Sequence, residues 1–267
     1  MLTIFSLVLL AVACLIVFVS NGPAAEWPKE KECRYADVIC LAMVVLGCVM
    51  RLMALGTLPA GLSPEEALVG VQGKALWQTG GFYPDGQLAA VLPQWSGEMN
   101  GPLLAVLTAP FVGLFGISAL TVRLPLVLLS IAAIPAAYAV GCMLSGKKAG
   151  RFLMAVYALC PYFVLGARMT CGANAALFML PIAAALLMAG LKRPALLYAG
   201  MAALAMTAYS QTMMLVIVPA AVIGAAAVAL IHGKNRMHAL LAAALAFLLC
   251  TAACAQEYYT EMPPALR

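Results

Sequence analysis

Glu65 and Glu66 stand side by side in Pro64-Glu65-Glu66-Ala67, under a turn that the proline helps to fix. A carboxylate placed there can accept a proton from an acceptor hydroxyl or amine, or ligate a divalent cation. The same pair also suits the positive end of a helix dipole, because a proline ahead of first-turn acids is a helix start. Both readings stand on the residues alone. Glu98 offers a third carboxylate, for which solvation in an exposed loop is the simpler account. Arg168 ends an apolar run and precedes Met169-Thr170-Cys171-Gly172-Ala173-Asn174. Its guanidinium could clamp a phosphate of a lipid-linked donor bidentately, or snorkel to lipid headgroups. Arg51 and Arg123 are read as snorkelling.

The elements that must position these groups lie in lipid. Hydrophobic residues make up 65% of the chain, charged residues 9%, and the mean hydropathy is +1.03. A soluble domain would be about a quarter charged and about half apolar. The net charge of +5 is spread in short basic clusters between apolar runs, which sets orientation in a bilayer and does not mark a nucleic-acid partner. The nine cysteines show no metal-ligand spacing, and most sit in apolar runs, where Cys behaves as a small hydrophobe.

Apolar runs predict spans at 2–20, 37–56, 120–143, 150–167, 174–190, 195–211, 213–231 and 238–255. The first run has no basic stretch before it and exceeds the usual apolar length of a signal peptide, so it is expected to be a retained helix. One further run, 102–117, is short for a span and carries Pro110. If it does not cross, the clusters Lys29/Lys31/Arg34, Lys147/Lys148/Arg151, Lys192/Arg193 and Lys234/Arg236 share one side, the cytoplasmic one. It is therefore expected to be a re-entrant or interfacial hairpin beneath the 58–101 loop. That loop, the 168–174 and 209–212 turns and the C-terminal tail then converge on the external face. Inside the loop, Leu68, Val69, Val71, Ala75, Leu76 and Trp77 recur at roughly helical spacing, which predicts an amphipathic helix on the membrane surface ending at Thr79-Gly80-Gly81.

What the sequence lacks narrows the function. No Asp, Glu, Lys or His lies well inside a predicted span, which argues against a small ion-coupled transporter. There is neither a phosphate-binding P-loop nor an HExxH motif.

The run Gly56-Thr57-Leu58-Pro59-Ala60-Gly61-Leu62-Ser63-Pro64-Glu65-Glu66-Ala67 resembles the first external loop of membrane glycosyltransferases of the C superfamily. These include the dolichyl-phosphate-mannose-protein mannosyltransferase and aminoarabinose transferase relatives. In that family the stretch reads Leu-Pro-x-Gly-Leu-x-x-Asp-Glu-Ala, followed by a Thr-Gly turn like Thr79-Gly80. Similar pieces follow in order: Trp95-Ser96-Gly97-Glu98-Met99-Asn100-Gly101-Pro102-Leu103, Ala109-Pro110-Phe111, Leu114-Phe115-Gly116, and Val122-Arg123-Leu124-Pro125. Cys160-Pro161-Tyr162 with Arg168 and Asn174, then Ala208-Tyr209-Ser210 and Val218-Pro219, complete the likeness, which runs from about 40 to 220.

The resemblance implies an all-α polytopic transmembrane bundle of about eight spans plus the hairpin. It implies inverting transfer of a sugar from a polyprenyl-phosphate donor to an acceptor on the external face of the plasma (inner) membrane. Glu65, where the family has Asp, would be the acceptor-side base or a ligand of a divalent metal, with Glu66 supporting it. Arg168 would bind donor phosphate, and Trp95, Glu98 and Asn174 would line the groove. A second family acid falls at Gly172, and relatives are much longer. The expected organisation is an extra N-terminal span and cytoplasmic loop at 1–36, the glycosyltransferase-like module at 37–255, and an external tail at 256–267 as the expected truncation point. A second subunit would then supply the missing half. The rival expectation is a non-catalytic partner that binds lipid-linked sugar.

Overall fold

The structure, a computed structural model, describes residues 34–80, 101–232 and 236–261. The expected span at 2–20, the 81–100 part of the loop with Asp85, Trp95 and Glu98, Lys234, and residues 262–267 lie outside the described residues. Every regular element among the described residues is helical. In chain order these are α1 (Arg34–Leu52), α2 (Pro64–Gln78), α3 (Pro102–Phe115), α4 (Ala119–Ser145), α5 (Lys147–Leu159), α6 (Pro161–Ala167), α7 (Gly172–Gly190), α8 (Pro194–Met206), α9 (Met214–His232) and α10 (Arg236–Glu261). A 3₁₀ turn, Thr207–Tyr209, follows α8.

Four of these helices, α4, α7, α9 and the Arg236–Cys254 part of α10, are long and apolar enough to cross a bilayer. The run expected as one span at 150–167 is broken: α5 and α6 meet at a 53° bend where Pro161 interrupts the ladder. Counted together they make a fifth candidate. Val38–Leu52, Pro102–Phe115 and Pro194–Tyr209 are apolar but shorter. The expected hairpin at 102–117 is instead a single 14-residue helix, α3. At 1.5 Å per residue it is roughly 21 Å long, less than the hydrocarbon thickness of about 30 Å.

Short connections force neighbouring helices to run antiparallel. Ser118 caps α4 by accepting from the Thr121 amide at 3.2 Å, while the Ser118 amide donates to Thr121 Oγ1 at 2.9 Å. At the far end Gly146 alone separates α4 from α5, at a φ of +91° that an L side chain resists. Residues 191–193 turn α7 into α8 in the same way.

The exterior has the character of a lipid-facing surface. Val216, Ile223, Leu241, Leu245 and Leu248 are exposed on α9 and α10. Opposite them, Ala239, Ala242, Ala246, Cys250 and Ala253 form the buried stripe of α10. Small residues at that spacing allow close helix approach, which is how helices associate where lipid removes the hydrophobic drive. In water so much exposed apolar surface would be an aggregation hazard. The chain is a membrane-type helical bundle.

The α2 helix differs from the amphipathic surface helix that its spacing suggests. Its buried face is Glu66, Val69, Gly70, Gly73 and Leu76, turned toward α3 and α4, whereas Leu68, Val71 and Trp77 are exposed. Two of the apolar residues expected on one face, Val69 and Leu76, point inward, and the helix buries a carboxylate with them. Thr79 and Gly80 do end it, with Gly80 at a φ of +63°.

Candidate functional site

The site begins with a helix cap. Ser63 precedes α2 in extended conformation and accepts from the Glu66 amide at 3.2 Å. The Glu66 carboxylate returns to the Ser63 amide, Oε2 accepting at 3.1 Å. This is the reciprocal capping box that a serine and a glutamate three apart can form, with Pro64 at the first helical position.

Capping uses only part of Glu66. Arg123, in the second turn of α4, donates Nε to Oε1 at 3.0 Å and Nη2 to Oε2 at 2.8 Å, a bidentate ion pair. The Thr170 amide, between α6 and α7, donates to Oε1 at 3.0 Å. Each carboxylate oxygen thus takes two hydrogen bonds. Arg123 is equally committed: Nη1 donates to the carbonyls of Leu55 at 3.2 Å and Pro59 at 3.0 Å, and Nη2 to Gly61 at 2.6 Å. All five of its donors are used. Glu66 is 3% exposed and Arg123 1%. Burial pushes the Glu66 carboxyl up, but the hydrogen bonds from Arg123, Thr170 and Ser63 and the Arg123 charge outweigh it and hold it below its ordinary value. Glu66 is a saturated anion in a clamp, and its proton affinity is wrong for a base near neutral pH.

Glu65 differs by one position and by everything else. It is half-buried and has no hydrogen-bond or ion-pair partner among the described residues. The clamp fixes the helix turn that carries it, so its carboxylate is presented from a rigid base.

Arg168 is half-buried at the end of α6, and its Nη2 donates to the Met53 carbonyl. Its Nε is buried without a partner. Asn174 donates from Nδ2 to the Met169 carbonyl at 2.9 Å, pinning the turn that also sends Thr170 to Glu66. The 168–174 turn therefore sits directly against the 53–66 segment. The third expected connection meets the other end of the loop. The Gly101 amide donates to the Ser210 carbonyl at 2.9 Å, so close that a Cβ on Gly101 would overlap the Tyr209 carbonyl. Trp95 and Glu98 lie outside the described residues.

Arg51 forms a second buried node, with no bond to Glu66. Pro161 lacks the amide that would bond the Tyr157 carbonyl, and the α5–α6 break leaves the Ala158 carbonyl open as well. Arg51 fills both, donating Nη2 to Tyr157 at 2.5 Å and Nη1 to Ala158 at 2.9 Å. Its Nε donates to Ser130 Oγ at 3.1 Å, and Nη1 also reaches the Gly47 carbonyl at 2.9 Å. The negative end of the α5 dipole supplies the favourable field.

Arg51 and Arg123 thus correct the snorkelling expectation, since both are interior and neither reaches solvent. For Glu66 a signal was present: Ser63-x-x-Glu66 spells a capping box. The arginines gave none, because their partners are 57 to 107 residues away for Arg123–Glu66 and Arg51–Ala158.

Around Glu65, Glu66 has spent both oxygens, and no three His, Cys, Asp or Glu side chains group together among the described residues, which leave out Asp85 and Glu98.

Comparison with protein-family models, with curated proteins and with solved structures finds no match to this chain. What the fold and the site define is a class: a helical membrane bundle with a buried Glu–Arg clamp beside a glutamate that has no partner among the described residues.

Proposed function

We propose that this protein is a membrane glycosyltransferase-like enzyme, acting on a sugar carried by a polyprenyl phosphate. One observation carries the reading. Three separated stretches that resemble the C superfamily, 56–67, Val122-Arg123-Leu124-Pro125 and the Arg168 segment, are joined in one contact set through Glu66, Arg123 and Thr170. Those residue types have a reason to keep their order and spacing if they build one site.

In the proposed reaction an acceptor hydroxyl gives its proton to the Glu65 carboxylate as its oxygen attacks the anomeric carbon. The bond from that carbon to the phosphate oxygen breaks, configuration inverts, and polyprenyl phosphate leaves. Arg168 balances the charge of the leaving phosphate with the donors not held by Met53. Glu66 and Arg123 are positioning residues, and Asn174 holds the turn that carries Arg168. Trp95 and Glu98 belong to the groove in this proposal. An eight-span topology and an external location of the Glu65 end at the plasma membrane belong to the same proposal, supported by the basic residues Lys147, Lys148, Arg151, Lys192, Arg193 and Arg236 in the turns at the helix ends opposite Arg123 and Thr170.

The test uses the full chain in membranes with an isotopically labelled polyprenyl-phosphate sugar. Glu65→Ala is expected to lower transfer by about a hundred-fold or more, and Glu65→Asp to retain part of it. Full transfer by Glu65→Ala removes Glu65 from the mechanism. A second reading, a non-catalytic partner that binds lipid-linked sugar beside a second subunit, is favoured by Gly172 and by the saturation of Glu66. Copurified polyprenyl lipid without turnover in the wild type would select it.

A further inference from the structure

We infer that Arg51 is a positioning residue for Arg168: it holds the α5–α6 bend, and the bend sets where the Arg168 guanidinium stands. Arg168 takes its role here from the transfer reading above, on which the proposal rests. The bend is not free. Pro161 and the α5–α6 break leave the Tyr157 and Ala158 carbonyls without helical partners, and Arg51 withdraws a whole cation from solvent to meet them. A non-proline residue at 161 would let the helix run on and satisfy the Tyr157 carbonyl with a backbone amide, at no such cost. The arrangement has a use if the bend has one.

What the bend places is α6. That helix is seven residues long, packs on α1 and α4, and ends at Arg168. Among the described residues the Arg168 guanidinium has one bonded partner, the Met53 carbonyl, and its Nε is buried with none. The position of α6 therefore decides the position of the charge. At 1.5 Å per residue α6 is about 10 Å long, so a change of about 5° at the bend carries its end about 1 Å. A displacement of that size takes Nη2 off the Met53 carbonyl. At a reacting centre it can cost about a hundred-fold in rate.

The frame for that setting is the end of α1. From 51 to 55 the chain meets the bend through Arg51, α6 through the Met53 carbonyl, and α4 through the Leu55 carbonyl, which accepts from Arg123. At Gly47, one turn earlier, a Cβ would overlap the Ala158 carbonyl, so α1 lies backbone against the end of α5. Tyr157 and Phe163 stack across the break at 4.3 Å between ring centroids, which resists a swing of α6. The far side of the 168–174 turn is held separately, by the Thr170 amide on Glu66. Arg51 thus governs Arg168 and leaves the clamp in place.

The test is modification of the full chain in detergent by phenylglyoxal, with the rate at each arginine read by peptide mass spectrometry. Transfer from the labelled polyprenyl-phosphate sugar is measured beside it. In the wild type Arg168 is expected to react slowly, and the exposed Arg193 and Arg236 serve as internal references. Arg51→Met is expected to raise the Arg168 rate about ten-fold against those references, and the donor KM about five-fold, with a smaller change in kcat. Pro161→Ala keeps every charge, carries the same expectation, and decides the matter if Arg51→Met misfolds. Arg51→Met/Pro161→Ala separates positioning from folding. The restored amide at 161 closes the Tyr157 carbonyl and recovers much of the Tm, while Arg168 stays fast and the donor KM stays raised. Recovery of all three by the double variant overturns the proposal, because Arg51 then serves stability alone. So does an Arg168 rate that Pro161→Ala leaves unchanged. Absence of transfer in the wild type would sink the transfer reading, whereas the modification rates would still decide whether Arg51 sets Arg168.

Discussion

Arg123 and Arg51 are both cations withdrawn wholly from solvent, and they are neutralised in different ways. Arg123 meets a full negative charge, Glu66, and three carbonyls. Arg51 meets no carboxylate among its bonded partners, only the carbonyls of Gly47, Tyr157 and Ala158 and the Ser130 hydroxyl. The first is a charge clamp between three segments distant in sequence. The second is a plug for carbonyls that a proline has orphaned. Burying an ion is expensive unless its field is answered, and the two nodes show two answers, one by an opposite ion and one by dipoles. Only the first sits directly beneath a second carboxylate, that of Glu65, which is why the candidate site lies there.

The largest effect should come from breaking the clamp on one side. Arg123→Met leaves Glu66 buried and unpaired, which costs about 3–5 kcal/mol of stability. Thermal or denaturant unfolding in detergent would measure it. Glu66→Gln/Arg123→Met removes both charges and should lose less than the sum of the single changes, because the two share one interaction. An additive double variant would mean that the pair is not a unit.

The carbonyl plug should matter less. Arg51→Met also removes a buried charge, so no unpaired ion is left behind. It does leave the Tyr157 and Ala158 carbonyls open at the α5–α6 break, at about 1–3 kcal/mol for an unsatisfied buried group. A loss of about 2 kcal/mol is expected by the same measurement. A loss as large as that of Arg123→Met would show that the absence of a carboxylate makes no difference.

The two nodes also differ in how far they could be read beforehand. The broad architecture follows from residue type: long apolar runs, proline and glycine at the breaks, basic residues in the turns. Pro161 and Gly146 mark their interruptions locally, and Ser63-x-x-Glu66 marks its cap. The clamp itself is not local. Arg123 and Glu66 belong to elements that only tertiary packing brings together, and a lone arginine beside an apolar run has the same spelling whether it reaches headgroups or a buried carboxylate. For α2 the helical spacing was legible, but its buried face was not, because glycines and an acid occupy the inner side and leucine, valine and tryptophan the outer. Hydrophobic periodicity presumes that water is the outer solvent, and beside a bilayer that presumption fails.

The smallest effect separates the nodes by pH. Folding holds the Glu66 carboxyl below its ordinary value of 4.5, so the folded state favours the ionised form more than the unfolded chain does. The clamp's contribution is therefore complete at neutral pH, begins to fade as pH falls past that ordinary value, and is lost as pH drops through the lower folded value. Arg51 has no carboxylate partner and contributes no such slope. Wild type and Arg51→Met should thus lose stability in parallel on acidification, whereas Glu66→Gln should lose less over the same interval. Stability measured between neutral pH and about pH 3 distinguishes the cases. If Glu66→Gln keeps the wild-type slope, the acid sensitivity arises elsewhere and the Glu66–Arg123 pair is held by geometry more than by charge.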